Sequence, residues 1–144
     1  MEKSELEQVV RNVVQNVLGQ KQEERKDVKK ACVTLVKGTE VGLKLFEAVP
    51  GVDARLADYI NSRHGCSMAA GLMELRNCTF DWTLNYEEVD FVVEGTLDII
   101  VGDKTYRGHK GDVVYIPKGT SIKFSTPDRA LFFYVTYPAD WANQ

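Results

Sequence analysis

The sequence predicts an all-β domain, either an antiparallel sandwich or a barrel, preceded by one short amphipathic helix. From residue 31 to residue 138, short runs rich in β-branched and aromatic residues are separated by Gly, Asp, Asn and Pro. Many short strands at regular spacing, with little helical pattern between them, are typical of sandwiches and barrels. In the first 30 residues, by contrast, apolar residues recur with the period of a helix.

The helix is predicted within residues 1–19. Ser4 and Glu7 have the spacing of a capping box, and Gly19 suits the position just after a helix end. Its apolar stripe consists of Leu6, Val9, Val10, Val13, Val14, Val17 and Leu18. A helix of about 14 residues is marginal alone in water, so this stripe needs a partner surface. The partner is the chain's own barrel, a dimer mate, or a separate protein reached through the charged linker at residues 20–30.

Residues 31–144 form the predicted β domain. The predicted strands include residues 31–36, 68–75, 90–93, 97–101, 112–116, 121–124 and 131–136. Hairpins are predicted at Glu94-Gly95, at Gly102-Asp103 and at Lys110-Gly111-Asp112.

Composition and charge argue against several classes of function. A net charge of −3 with interspersed signs does not provide the basic face that nucleic acid needs. No apolar run approaches the roughly 18 residues of a membrane span, and the acidic first residues do not resemble a secretory signal. Cys32, Cys66 and Cys78 are odd in number and lack C-x-x-C spacing, so we expect reduced thiols in a cytosolic protein.

Two motifs in the β domain resemble those of the cupin superfamily. In the first, Glu88 is followed by six residues and then by Gly95. In the second, Gly111 is followed by five residues, then Pro117, one further residue and Gly119. The two motifs stand in the order and at the separation that cupins show. The resemblance implies a cupin fold, a jelly-roll-like antiparallel β-barrel, over residues 31–138.

The sequence departs from the cupin pattern at the positions where most cupins place metal-binding histidines. Those positions hold Trp82, Leu84 and Ile122, none of which can ligate a metal. A transition metal needs three or four N, O or S ligands, so we expect no iron, manganese or zinc site. These three residues, together with Tyr86 and Tyr115, are predicted to line a ligand pocket. An ordinary packed tyrosine is an equally good interpretation of Tyr115.

Longer runs, at residues 82–90, 116–122 and 134–141, are similar to the ethanolamine-utilisation cupin family EutQ. This resemblance implies a homodimer in the bacterial cytoplasm, associated with a bacterial microcompartment. It also implies acetate kinase activity, with ATP and ADP as nucleotides. The capped helix on its charged tether is similar to encapsulation peptides, so Leu6, Val9, Val10, Val13 and Val17 are predicted to dock to shell or assembly proteins. A helix that covers one edge of its own barrel is the alternative.

Glu88 and Asp90 are the predicted catalytic residues. They lie two apart on a strand, so both point to one face, which in cupins is the barrel interior. Two carboxylates there would hold Mg²⁺ or raise each other's pKa. The alternative is a pair of structural acids neutralised by Lys or Arg, or an outward-facing pair after a bulge.

Phosphate binding is the least supported part of the kinase expectation. Lys118, beside the second motif, is the predicted phosphate-binding residue, although a solvent-facing lysine is the simpler interpretation. The sequence contains no G-x-x-x-x-G-K-[ST] loop, so the kinase expectation rests on the family resemblance. The rival function is a non-catalytic cupin that binds a small ligand or helps to assemble the compartment.

Overall fold

The computed structural model describes residues 7–14 and 33–143, which belong to two separate compact units, residues 1–33 and 34–144. Residues 7–14 are helical, in the middle of the predicted helix. Val9, Val10, Val13 and Val14 are exposed on it. The predicted helix ends, with Leu6, Val17 and Leu18, and the linker at residues 20–30 lie outside the described residues.

The second unit is built from short strands, as predicted. The strands are β1 (Lys44–Leu45), β2 (Ala54–Ile60), β3 (Ala69–Arg76), β4 (Thr79–Leu84), β5 (Glu87–Val101), β6 (Lys104–His109), β7 (Val113–Ile116), β8 (Thr120–Ser125) and β9 (Arg129–Tyr137). Short 3-10 helices lie at Gly38–Glu40, Ser62–His64 and Trp141–Asn143. No helix among the described residues has both the length and the apolar character needed to cross a bilayer.

The strands curl into an antiparallel barrel in which β5 belongs to both layers. The first half of β5 pairs with β7 and β9, and the second half pairs with β6 and β8. The order β1-β2-β3-β9-β5-β8-β4 runs from one layer to the other through this strand. The all-β barrel prediction is therefore confirmed.

Two of the three predicted hairpins are wrong, because β5 is longer than the sequence indicates. At Glu94-Gly95 the chain continues along β5 through a bulge, where the register with β9 shifts between Val92 and Glu94. Gly95 has a φ of +78°, and a Cβ atom there would overlap the carbonyl oxygen of Arg129. At Lys110-Gly111-Asp112 the chain passes from β6 to β7, which both pair with β5 and not with each other. Of the three predicted hairpins, the one at Gly102-Asp103 is confirmed, because it joins β5 to β6.

The predicted strand at residues 31–36 is also wrong over its described part. Residues 33–36 have no regular secondary structure, and residues 31 and 32 lie outside the described chain. The hydrophobic core fills the barrel instead from the alternating inward positions of the later strands. Its largest fully buried side chains include Phe132, Leu75, Leu84, Leu97, Ile99, Ile116 and Val92.

Candidate functional site

Two of the four buried acidic residues in the described chain are paired with arginines. Asp98 accepts two hydrogen bonds from Arg107, at 2.8 and 2.7 Å. Glu74 forms ion pairs with Arg129 at 2.7 Å and with Arg76 at 2.9 Å. Burial acts to raise the pKa of Glu74, but these arginines outweigh it and lower that pKa. The barrel therefore follows the usual rule that a buried carboxylate has a cationic partner.

Glu88 and Asp90 are the two exceptions. Both are buried, with exposed fractions of 6% and 0%, and they alternate along β5 with outward-facing residues. The predicted inward orientation of the pair is confirmed. On β9, the residue opposite Glu88 is Thr136 and the residue opposite Asp90 is Tyr134. No ion pair connects Glu88 or Asp90 to a basic residue of the described chain.

The buried pair favours its protonated form. Burial raises the pKa of Glu88 to about 7. Burial and then the charge of Glu88 raise the pKa of Asp90 well above its usual value. Neither oxygen of Asp90 receives a hydrogen bond from an N–H or O–H group of the described residues. A proton shared between the two carboxyl groups therefore gives them a hydrogen bond to each other, so the pair titrates as a unit.

A small cavity of about 20 Å³ lies over Glu88. That volume is enough for one water molecule or one group of similar size. Its other lining residues are aromatic, aliphatic or hydroxyl-bearing: Phe46, Leu56, Met73, Trp82, Tyr86, Phe124, Tyr134, Thr136 and Trp141.

An aromatic cluster forms one side of this cavity. The indole N–H of Trp82 donates a hydrogen bond of 2.7 Å to the hydroxyl of Tyr86. The ring of Trp141 lies 5.6 Å from that of Tyr86 and 6.3 Å from those of Trp82 and Phe46. Burial raises the pKa of Tyr86, followed by the effect of the Glu88 charge, so its hydroxyl keeps its proton.

Of the five predicted pocket residues, two line the cavity and three lie elsewhere. Trp82 and Tyr86 line the cavity, with Tyr86 in a bend between β4 and β5. Leu84 and Ile122 are buried in the hydrophobic core and do not line it. Tyr115 does not line this cavity either, because it pairs in register with outward-facing Val89 and is 56% exposed. Tyr115 and Ile122 instead line a separate cleft of about 270 Å³.

The predicted ligands do not fit Mg²⁺. No group of three or more His, Cys, Asp or Glu residues that could hold a metal occurs in the part of the chain that the structure describes. Mg²⁺ needs about six oxygen ligands and usually keeps several waters, whereas this cavity admits roughly one. The raised pKa values of Glu88 and Asp90 also disfavour the two negative charges that the ion would need. Lys118 is exposed in the turn between β7 and β8 and does not line the cavity.

Seven of the ten residues that line the cavity were not predicted from the sequence: Phe46, Leu56, Met73, Phe124, Tyr134, Thr136 and Trp141. Tyr134 and Thr136 lie two apart on β9, so the alternation of that strand could have placed them on one face. Phe46, after the two-residue strand β1, and Trp141, in the last 3-10 helix, carry no such signal. Their place at the cavity depends on contacts between distant parts of the chain.

Sequence and structure comparisons agree on one family. The sequence profile of the family described as "Ethanolamine utilisation protein EutQ" matches residues 1–143. A Clostridioides difficile protein named acetate kinase EutQ is 55% identical over 82 residues, which cover 57% of this chain and 50% of that protein. This chain spans about half the length of the curated relatives that it matches.

Solved structures support the same relationship and the same fold. The structure of the Clostridium difficile EutQ protein is 41% identical, with a TM-score of 0.65 over 77% of this chain and 79% of that chain. An RmlC-like cupin from Shewanella frigidimarina has a TM-score of 0.64 over 78% of this chain and 97% of that chain, at 14% identity. This second similarity concerns the fold alone, and it agrees with the cupin barrel predicted from the two motifs.

Proposed function

We propose that this chain, which belongs to the EutQ family of ethanolamine utilisation proteins, is the cupin part of a bacterial acetate kinase. In the proposed reaction, an oxygen of the terminal phosphate of ADP attacks the phosphorus of acetyl phosphate. The bond between that phosphorus and the acyl oxygen breaks, which yields ATP and acetate, and the reverse reaction uses the same groups. The name of the relative that is 55% identical over 82 residues supports this proposal.

The observation that supports a site inside the barrel is the buried pair Glu88 and Asp90. Buried acids without a cationic partner are costly to fold, and such groups cluster at functional sites. Asp98, on the same strand, shows that this barrel otherwise pairs a buried carboxylate with arginine. We therefore keep Glu88 and Asp90 as the candidate catalytic residues, acting as a proton-holding pair and without a bound metal.

The kinase proposal is tested by measuring ATP formation from acetyl phosphate and ADP with the purified chain. The expected result is a rate well above that of a mock purification from cells lacking the gene. A rate equal to that of the mock purification would contradict the proposal for this chain. Omitting acetyl phosphate controls for contaminating adenylate kinase, which makes ATP from ADP alone.

A second function, binding of a small ligand by the barrel, is favoured by one observation. None of the residues that line the cavity is basic. Transfer of a phosphoryl group needs positive charge around the transferred group. A cavity lined by one acid and no base suits a ligand that brings donors or positive charge.

We also propose that two copies of the barrel associate through an exposed apolar face. This face is formed by outward side chains on the adjacent strands β9, β5 and β7. Its exposed members are Val89, Phe91, Val113, Tyr115 and Tyr137. A flat apolar patch on neighbouring strands can pair with the same patch of a second copy around a two-fold axis.

The last part of the proposal concerns location. We propose that the chain acts in the bacterial cytoplasm and docks to a microcompartment shell through its N-terminal helix. Val9, Val10, Val13 and Val14 are each 49–55% exposed, as an unpartnered apolar stripe requires. Such a stripe fits an apolar groove on a partner protein.

A further inference from the structure

The barrel cavity is lined by a carboxyl group and by a hydroxyl group that has no partner. Glu88 lines the cavity, and the hydroxyl of Thr136 is buried without a hydrogen bond to any described residue. Thr136 is 2% exposed, lines the cavity and lies directly opposite Glu88. Buried polar atoms are nearly always paired, so this orphaned hydroxyl beside a carboxyl group indicates a ligand that supplies donors.

Part of the cavity lining is aromatic. The ring centroids of Phe46 and Trp82 are 5.3 Å apart, and Trp141 packs against both and against Tyr86. The faces of aromatic rings attract cations, most strongly where water is excluded. An acid and several aromatic rings around one cavity form a combination that recognises an ammonium group.

Among the described residues, the charged and titratable groups that face the pair do not include a base. They are Tyr86, Tyr134 and, through its hydrogen bond from Tyr134, Asp58. The two tyrosines keep their protons, because burial raises the pKa of each hydroxyl. A cation in the cavity would therefore be the counterion that the pair otherwise lacks.

We infer that this cavity binds a small primary ammonium ion, whose N–H groups donate to Glu88 and Thr136 beside the aromatic rings. The cavity of about 20 Å³ accepts the ammonium group itself. The carbon chain then extends into a neighbouring cleft of about 330 Å³, which shares Phe46, Trp82, Tyr86 and Trp141 with the cavity. The ligand class is a primary alkylammonium.

The inference goes beyond the kinase proposal and is measured without nucleotide. Ethylammonium chloride, ethanol and sodium acetate have similar sizes but carry positive, zero and negative charge. Each is titrated into the full chain at pH 8 and constant ionic strength, with tryptophan fluorescence as the readout because Trp82 and Trp141 line the cavity. We expect saturable binding of ethylammonium, and binding at least about tenfold weaker for the other two compounds.

Variants locate the site. Glu88→Gln lowers the affinity for ethylammonium at least about tenfold, and Thr136→Val lowers it a few-fold. Asp98→Asn, which alters a buried acid on the same strand that is already paired with Arg107, leaves the affinity unchanged. Thr136→Val keeps the test decisive if a carboxyl variant fails to fold.

The affinity should also rise from pH 6 to pH 8, because the ammonium ion competes with the proton that the pair holds. Equal binding of ethanol, preferential binding of acetate, or an affinity for ethylammonium unaffected by Glu88→Gln and Thr136→Val would overturn the inference. Such results would leave the kinase proposal standing, since ATP formation is measured separately.

Discussion

Gly71 lies directly opposite Tyr134 in the pairing of β3 with β9. A Cβ atom at residue 71 would overlap both the hydroxyl of Tyr134 and the carbonyl oxygen of Ala57. The hydroxyl of Tyr134 donates a hydrogen bond to Asp58, and its ring lines the barrel cavity. The missing side chain at Gly71 therefore makes room for one wall of the candidate site.

Gly71→Ala should destabilise the protein by about 1–3 kcal/mol, the usual cost of overpacking a buried position. The reason is that the backbone of β2 cannot move away as easily as a flexible side chain. Urea unfolding followed by circular dichroism measures the free energy of unfolding. Gly42→Ala is the matched control, because a Cβ atom there meets nothing within 4 Å. Equal stabilities for the two variants would contradict the packing described for Gly71.

The buried pair should make stability depend on pH. The pKa of Glu88 is raised from 4.5 to about 7 on folding, so the folded state binds more protons than the unfolded state between these values. The protonation of Glu88 therefore stabilises the folded state fully below about pH 4.5, and this stabilisation is lost as the pH rises through about 7. We expect Glu88→Gln to reduce the fall in Tm between pH 5 and pH 8 relative to the wild type.

Differential scanning fluorimetry over this pH range, with Asp98→Asn as the control, makes the comparison. Tyr86, Tyr134 and Asp58 face the pair, and none of them supplies a positive charge that would reverse the sign. If the Tm of the wild type and the Tm of Glu88→Gln fell equally between pH 5 and pH 8, the carboxyl group of Glu88 would not titrate in this range.

The sequence predicts strands and their faces better than it predicts where the chain turns. The alternation along β5 correctly placed Glu88 and Asp90 on one face, because side-chain direction in a strand is a local property. That this face is the barrel interior was implied by the resemblance to cupins. The bulge at Gly95 was mistaken for a hairpin, because a glycine with positive φ suits both. Only the close approach of Arg129 from β9 distinguishes them.

The cavity itself was only partly predictable for a related reason. Trp82 and Tyr86 are near Glu88 in sequence and were predicted as pocket residues. Phe46 and Trp141 lie 42 and 53 residues from Glu88, and they reach the cavity through segments with almost no regular structure. No local periodicity indicates such contacts, which depend on how the whole barrel closes.

The apolar outer face predicts the oligomeric state. Val113→Glu should convert a dimer into a monomer, because two copies would each bring an unpaired charge into the apolar contact. Sedimentation equilibrium measures the mass in solution. Tyr106→Glu is the control, since Tyr106 is 46% exposed on β6 and not on this face. A wild-type monomer at micromolar concentration would contradict the proposal.

The helical stripe predicts where the chain goes in the cell. The full chain fused to a fluorescent protein should form puncta when it is co-expressed with microcompartment shell proteins. Val13→Glu should make the fluorescence diffuse, because a charge in the stripe breaks apolar docking. Arg11→Glu, at a polar position of the same helix, serves as the control for charge. Puncta that persist in Val13→Glu would argue against docking through this face.

The most direct test of the central claim compares ATP formation from acetyl phosphate and ADP in four proteins. They are the wild type, Glu88→Gln, Asp90→Asn and Asp98→Asn, each first shown to be folded by circular dichroism and Tm. If the buried pair is the catalytic site, kcat falls at least about a hundredfold in the first two variants and stays close to the wild-type value in Asp98→Asn. Wild-type rates in both Glu88→Gln and Asp90→Asn would contradict the claim and exclude the pair from catalysis.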